Sequence, residues 1–212
     1  MINYLDRTVL GIAAPQMSTE LHIAPAIMGI VFSAFSWSYA VAQVPGGWVL
    51  DRVGTRLTYF SAVFFWSLFT LLQGFANSVA LLLGFRLGLG ISEAPCFPTN
   101  SRVVATWFPE HERAKATAIY TVGEYLGLAC FSPLLFWISR RFGWRWLFFA
   151  VGTVGIAFAL LWRALYRERE EIGSANKSMG TSALNWEQIR ELLRHRQVWG
   201  ASIGQFGGNS TL

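Results

Sequence analysis

The 212-residue chain draws 53% of its residues from the apolar set and only 14% from Asp, Glu, Lys and Arg. An ordinary soluble domain is roughly 25% charged, so the composition points to a lipid solvent and excludes disorder, collagen and coiled coil. Two cysteines are too few for a disulfide scaffold or a four-thiolate zinc site, and the net charge of +5 comes from basic residues that punctuate apolar blocks instead of lining one nucleic-acid-binding face.

With ~20 apolar residues as the length needed to cross the hydrocarbon core, candidate spans follow one another along the chain. The first, Ile2 to Met17, holds Asp6 and Arg7 inside its apolar run and has no basic n-region, which makes a secretory signal a poor reading of the start. It is expected to be cut short. The second, Pro25 to Leu50, ends in the strongest motif of the chain, Gly47-Trp48-Val49-Leu50-Asp51-Arg52-Val53-Gly54-Thr55-Arg56. A glycine at the helix end admits a neighbouring helix, Asp51 is placed to meet a helix N-terminus or an arginine across the bundle, and Gly54 supplies the tight turn into the next span. A solvated charged turn explains Arg52 and Arg56 but not the G-x-x-x-D-R-x-G-x-R spacing, so the motif reads as a conformational latch.

The third span is Leu57 to Phe75. The fourth, Val79 to Ala105, carries Arg86 and Glu93, which share one helix face with ~10.5 Å of rise between them. Pro95 and Pro98 predict a kink just after Glu93 that exposes backbone carbonyls. Gly84, Gly88 and Gly90, with Gly123 and Gly127, read as surfaces for close helix contact. The fifth span, Ala114 to Ile138, has Glu124 near its middle, and the sixth is Trp144 to Leu165. Trp37, Trp66 and Trp137 are assigned no role beyond packing or lipid contact. Within residues 166–197, Trp186, Ile189, Leu192 and Leu193 recur at helical spacing, which predicts either a short amphipathic helix or a plain connector. A seventh span starts at Val198.

Orientation follows from the basic residues. Arg52, Arg56, Arg113, Lys115, Arg163, Arg167, Arg169, Lys177, Arg190, Arg194 and Arg196 lie on one side, against Arg140, Arg141 and Arg145 on the other. The richer side is read as cytoplasmic, with the N-terminus and the linker. Six spans followed by a long linker is a common transporter layout, so the chain is expected to be a fragment whose parent has a second bundle.

An ionisable group in hydrocarbon costs at least ~2.5–3.5 kcal/mol on insertion scales and is a functional candidate by default. Asp6, Arg7, Arg86, Glu93 and Glu124 all qualify. A carboxylic acid in a low-dielectric cavity can exchange a proton near neutral pH, while an arginine beside it engages either the acid or a substrate anion. Anion binding to arginine then frees an acid to take up a proton, which is the coupling symport needs. Asp6, Glu93 and Glu124 are the candidate proton-coupling groups, and Arg7, Arg86 and Glu124 the candidate substrate contacts. The alternative is that Asp6–Arg7 and Arg86–Glu93 are permanent ion pairs fixing helix packing.

The latch loop, the six spans and the central linker together resemble the N-terminal half of a major facilitator superfamily transporter, whose signature loop reads G-x-x-x-D-R-x-G-R-R. Thr55 stands at the penultimate arginine, which implies a weaker latch. Three further stretches resemble the anion:cation symporter family, and most nearly its bacterial sugar-acid branch of D-galactonate, glucarate and hexuronate transporters. They are Tyr4-Leu5-Asp6-Arg7, Phe32-Ser33-Ala34-Phe35 through Gln43-Val44-Pro45-Gly46-Gly47, and Glu93-Ala94-Pro95-Cys96-Phe97-Pro98-Thr99-Asn100 followed by Trp107-Phe108-Pro109. The resemblance covers essentially the whole chain. It implies that Asp6, Arg7, Arg86 and Glu93 carry coupling and anion binding, and that Tyr4 and Tyr39 help hold the sugar-acid chain. It also implies that Glu124 replaces a glutamine, marking a different substrate or a third protonatable group.

Enzyme chemistry finds no footing. His22, His111 and His195 lie at span ends or in loops, and neither a zinc-protease helix, a G-x-S-x-G elbow nor a phosphate-binding lysine loop occurs. No metal or cofactor is expected. The expected fold is an all-α membrane protein: a six-helix N-terminal bundle of a major facilitator fold over residues 1–165 with a truncated first helix, a cytoplasmic linker over 166–197 and the start of a seventh helix over 198–212. The expected function is proton-coupled symport of a sugar acid into a bacterial cell across the inner membrane. Partners would be the organic anion, protons, the lipid bilayer and the missing C-terminal bundle, without nucleic acid. A non-transporting anion sensor, an inactive fragment and a carrier of another organic anion stay open.

Overall fold

The computed structural model describes residues 2–167 and positions 190, 194–196, 199 and 200; the side chains of residues 2–5, 7 and 124 are outside the described set. Among the described residues the elements in chain order are α1 (Ile2–Glu20), α2 (Pro25–Val53), α3 (Thr55–Gln73), α4 (Val79–Glu93), α5 (Cys96–Trp107), α6 (Glu110–Phe142) and α7 (Trp144–Leu165), with no strand. The chain divides into one unit over Met1–Glu170 and another over Glu171–Leu212. Trp186, Ile189, Leu192 and Leu193 of the expected amphipathic helix, and all but two residues of the seventh span, lie outside the described residues.

The predicted break in the fourth span is present: α4 ends at Glu93, α5 starts at Cys96, and the two together make one span, Val79–Trp107. Pro95 has no N–H for the carbonyl of Ile91, and Pro98 has none for that of Ala94. With this pair counted once, six helical spans run back and forth. Five of them, all but α1, are long and apolar enough to cross a membrane. Asp6, Arg7, Gln16 and Glu20 dilute α1. Helix ends run past the apolar blocks because hydrophobicity marks only the hydrocarbon layer. Thus α6 starts at Glu110 instead of Ala114, its first turn carrying Glu110 and Glu112 where negative charge complements the helix dipole.

Helix pairing is regular. The most extensive contacts are α3 on α7, α2 on α4, α3 on α4 and α1 on α6, with α1 also on α7. In span terms these are 3 with 6, 2 with 4, 3 with 4, 1 with 5 and 1 with 6. A twofold exchange of spans 1–3 with spans 4–6 turns the 2–4 contact into 5–1 and the 3–4 contact into 6–1, and maps 3–6 onto itself, which is how an inverted repeat packs. The same symmetry appears in the turns. Gly54 joins α2 to α3 at φ 88° and ψ 168°, and Gly143 joins α6 to α7 at φ 91° and ψ 167°. That left-handed φ suits glycine, and each glycine sits at the centre of an R-x-G-x-R run, Arg52 to Arg56 and Arg141 to Arg145.

These flanking arginines do equivalent work at opposite ends. Arg56 donates from Nε (3.2 Å) and Nη2 (2.6 Å) to the carbonyl of Arg163 in the last turn of α7. Arg145 donates from Nη2 (3.3 Å) to the carbonyl of Ala76, just past α3. Arg56 supplies donors to a carbonyl that the end of α7 leaves unsatisfied, and Arg145 does so for the turn that follows α3. Arg145 also pairs with Glu20, which accepts the Trp144 indole N–H at 2.6 Å, so the ends of α1, α3 and α7 are tied together. Hydrogen bonds from Trp144 and then Arg145 hold the Glu20 carboxyl below the usual carboxylate range.

Inside the bundle, Val9, Leu10, Ala13 and Met17 of α1 pack with Leu147, Phe148 and Val151 of α7, while Phe35, Val63, Trp66, Leu89 and Ala159 form a second cluster. Because lipid is as apolar as leucine, such contacts hold helices by close packing more than by exclusion from water. The glycines divide accordingly. A Cβ on Gly90 would meet the Ser38 hydroxyl and come within 2.6 Å of the Phe35 carbonyl; one on Gly152 would come within 2.8 Å of the Ser67 carbonyl; and one on Gly88 would strike the Phe69 ring. Gly84 and Gly123 meet nothing within 4 Å, which corrects their expected role as packing surfaces.

Two outcomes follow. Gly90→Ala should lower the unfolding free energy of the detergent-purified protein by about 1–3 kcal/mol through overpacking, whereas Gly84→Ala, on the same helix, should be neutral or stabilising by up to ~1 kcal/mol; thermal melts giving the reverse order would refute the packing assignment. Because the Glu20 pKa is lowered on folding, its contribution is complete above the unfolded carboxylate's titration and is lost as pH falls through the lower folded value. Melts against pH should therefore show wild type more stable than Glu20→Gln at neutral pH, with the two converging in acid.

Candidate functional site

Asp6 is the most constrained of the expected site residues. Only 2% of it is accessible, and both carboxylate oxygens accept hydrogen bonds from α3: Oδ2 from the Trp66 indole N–H, and Oδ1 from the Thr70 hydroxyl at 2.9 Å. Trp66 and Thr70 stand four residues apart and so share a face, and both are buried. Trp66, which periodicity left without a role, is thus a direct partner of an expected coupling group. A readable signal existed, since Ser67, Thr70 and Gln73 make the inward side of this apolar helix polar. Tyr4 and Arg7 lie on α1 and Glu124 on α6, but their side chains are outside the described residues.

Arg86 and Glu93 are both buried, at 3% and 1% accessible, on the face of α4 that also buries Leu82, Leu89 and Gly90. This face lies against α2 because Gly90 has no side chain, letting α4 reach the backbone at Phe35 and Tyr39. That approach brings the Arg86 guanidinium to 5.8 Å from the centre of the Phe35 ring, and Phe35 stacks on Tyr39 at 5.6 Å. Arg86 and Tyr39, both expected site residues, therefore lie against the same phenyl ring. Glu93 closes α4, immediately before the proline break, where Gly46 of α2 packs against Pro95.

At the end of the bundle opposite Glu20, Asp51 in the last turn of α2 forms an ion pair with Arg102 of α5. Arg102 also donates at 3.1 Å to the carbonyl of Leu50, so one guanidinium binds both the acid and the helix end. Arg113 caps the end of α5, donating to the carbonyls of Ala105 (3.0 Å) and Phe108 (3.1 Å). Arg52 lies over the Trp48 ring at 3.6 Å, and Arg56 reaches α7. Gly47 meets nothing within 4 Å, so the close approach expected there belongs to its neighbour Gly46. Arg102 was absent from the expected latch; its position near the end of the fourth span was the available clue.

A cavity of about 580 Å³ opens between α3, α5, α6 and α7. Tyr59, Asn100, Lys115, Tyr120 and Trp162 line it, with Glu112 toward its charged end. None of the described residues expected to bind substrate lines it, but Trp66 does, with Asp6 bonded to its indole nitrogen. No group of three or more potential metal ligands occurs among the described residues.

Comparison with known proteins fits this architecture. Residues 1–212 match the model of the Major Facilitator Superfamily. The D-galactonate transporter of Escherichia coli O6:H1 is 43% identical over 231 aligned positions, covering all of this chain and 54% of that protein. The probable galactarate/D-glucarate transporter GudP of Escherichia coli K12 is 38% identical, over 96% of this chain and 51% of its own length. The chain thus spans about half the length of the curated relatives it matches, in their N-terminal part. Among solved structures, a bacterial homolog of the human lysosomal transporter Spinster, inward-facing and unoccupied, superposes with a TM-score of 0.65 at 29% identity, covering 79% of this chain and 40% of that one. Apolar spans, inverted pairing and family match converge: the chain is a multi-pass membrane protein that belongs to the major facilitator superfamily.

Proposed function

We propose that this chain is the N-terminal half of a secondary transporter that carries a sugar acid, a hexonate, hexarate or hexuronate, into a bacterial cell together with protons. The observation that carries the reading is the burial of Asp6, Arg86 and Glu93 inside an otherwise apolar bundle, beside relatives named for galactonate, galactarate and glucarate. Arg86 and Arg7 hold the carboxylate of the substrate, Tyr4 and Tyr39 its hydroxylated chain, and Asp6, Glu93 and Glu124 exchange protons. Binding of the anion to arginine frees an acid to be protonated, and the loaded, charge-balanced site then reorients. No catalysis is part of this cycle.

Residues 166–197 act as the cytoplasmic linker and 198–212 begin the seventh span, placing the N-terminus and the latch loop in the cytoplasm of a cell whose inner membrane holds the protein. The outward faces of α2 and α6, with Trp37, Val41 and Val44 on one and Val122, Leu126 and Trp137 on the other, are apolar and exposed. They serve as contacts for lipid and for a second six-helix bundle.

The test is uptake by the full-length transporter of labelled D-galactonate, D-glucarate and hexuronates, with and without a pH gradient. Gradient-driven uptake of at least one is expected, and equal uptake of neutral sugars would refute the anion assignment. Arg86→Ala should abolish uptake while insertion persists. Glu93→Gln, which imitates a permanently protonated acid, should lose pH-driven accumulation yet keep counterflow; full accumulation would remove Glu93 from coupling. Exposed ion pairs contribute roughly 0.2–1 kcal/mol, so Arg102→Ala should shift the ratio of inward- to outward-open forms by no more than about fivefold, read by cysteine accessibility at the two ends.

A further inference from the structure

The two donors that α3 offers Asp6 are not equivalent. Trp66 contributes an indole N–H, which can only donate, whereas Thr70 contributes a hydroxyl, which can donate or accept. A carboxylate accepts on both oxygens; a carboxylic acid carries a proton on one and donates through it. A proton on Oδ2 would point donor against donor at the indole. One on Oδ1 meets a hydroxyl that can turn around.

We propose, on the reading of Asp6 as a proton-coupling group, that Trp66 and Thr70 are its positioning residues, with Trp66 holding Oδ2 in both protonation states and Thr70 reversing its hydrogen bond to Oδ1. The balance is simple. In the ionised state the Thr70 hydroxyl donates to Oδ1. When a proton arrives from water it bonds to Oδ1, Asp6 becomes the donor, and Thr70 Oγ1 accepts. The Thr70 hydrogen then turns to the carbonyl of Trp66, one turn back on its own helix, an acceptor that a helical threonine ordinarily reaches. Release runs the same steps backwards. No heavy atom has to move, so α1 stays fixed on α3 whatever the charge of Asp6, and the two helices travel as one body. The other charged side chains deep within the spans are Arg7 on α1, Arg86 and Glu93 on α4 and Glu124 on α6. The remaining ones lie toward span ends: Glu20 on α1, Asp51 and Arg52 on α2, Arg56 on α3, Arg102 on α5 and Arg145 and Arg163 on α7, with those of α6 in its terminal turns.

The experiment uses the full-length transporter in proteoliposomes, with whichever of labelled D-galactonate or D-glucarate wild type takes up faster. The pH midpoint of uptake and the pH dependence of counterflow are measured for Thr70→Ser, Thr70→Val, Trp66→Phe and Asp6→Asn, with inserted protein quantified for each. Thr70→Ser, which keeps the reversible hydroxyl, should retain the wild-type midpoint. Thr70→Val and Trp66→Phe should displace it by about 0.5 pH unit or more, roughly threefold in proton activity. On an Asp6→Asn background, adding either change should alter counterflow by less than about twofold, because their effect passes through the missing acid. A wild-type midpoint in Thr70→Val, a Thr70→Ser variant as displaced as Thr70→Val, or effects undiminished on the Asp6→Asn background would each overturn the inference. The Ser and Val pair decides the matter even where Trp66→Phe fails to insert. Asp6→Asn with the wild-type pH profile, or uptake of neither sugar acid, would instead overturn the proposed function itself.

Discussion

A buried carboxylate must be held by donors, and in this bundle one neighbouring helix supplies a donor to each oxygen of Asp6. The cost of leaving such a group unmatched in an apolar surrounding is several kcal/mol, larger than any single packing contact nearby. This need sets the character of α3. Its inner face carries Trp66, Ser67, Thr70 and Gln73 where lipid-like packing alone would call for leucine. It also offsets the poor fit of α1 to a membrane, since the most polar span is the one tied to the interior through its acid.

Glycine and proline then place the second polar group. Gly90 lets α4 lie on the backbone of α2, which positions Arg86 beside Phe35 and Tyr39. Pro95 ends α4 one residue after the Glu93–Ala94 bond and rests against Gly46. Asp6, Arg86 and Glu93, the charged side chains buried among the described residues, are therefore carried on spans 1 and 4, which the twofold pairing exchanges. The proposed site would then be built from symmetry-related helices, as in transporters whose bundles rock about the midplane.

Much of this was legible in the sequence, for identifiable reasons. A span of ~20 apolar residues has few other uses, and two prolines three apart must break a helix, so the spans and the interruption after Glu93 could be read directly. Arg86 and Glu93 stood out because charge inside an apolar block has a price. Trp66 did not, because an apolar aromatic fits a lipid-facing position as well as a buried one, and an indole N–H shows its purpose only when its acceptor is known. Arg102 was hidden for a related reason: the partner of Asp51 lies 51 positions away, and which of several arginines meets it depends on helix tilt. The glycines split between contact and open space, at Gly90 and Gly84, because composition counts small residues without saying which face they occupy.

The fork of Arg56 on the carbonyl of Arg163 bears on how the chain leaves the bundle. The final turn of a helix ordinarily frays, and whatever follows swings from a loose root. Here the exit point of α7 is clamped to Arg56 in the first turn of α3, two residues past Gly54, on the helix that also grips Asp6. A tilt of α3 thereby takes the last turn of α7 with it, so the point at which the chain leaves the bundle follows the helix that grips Asp6 instead of loosening on its own.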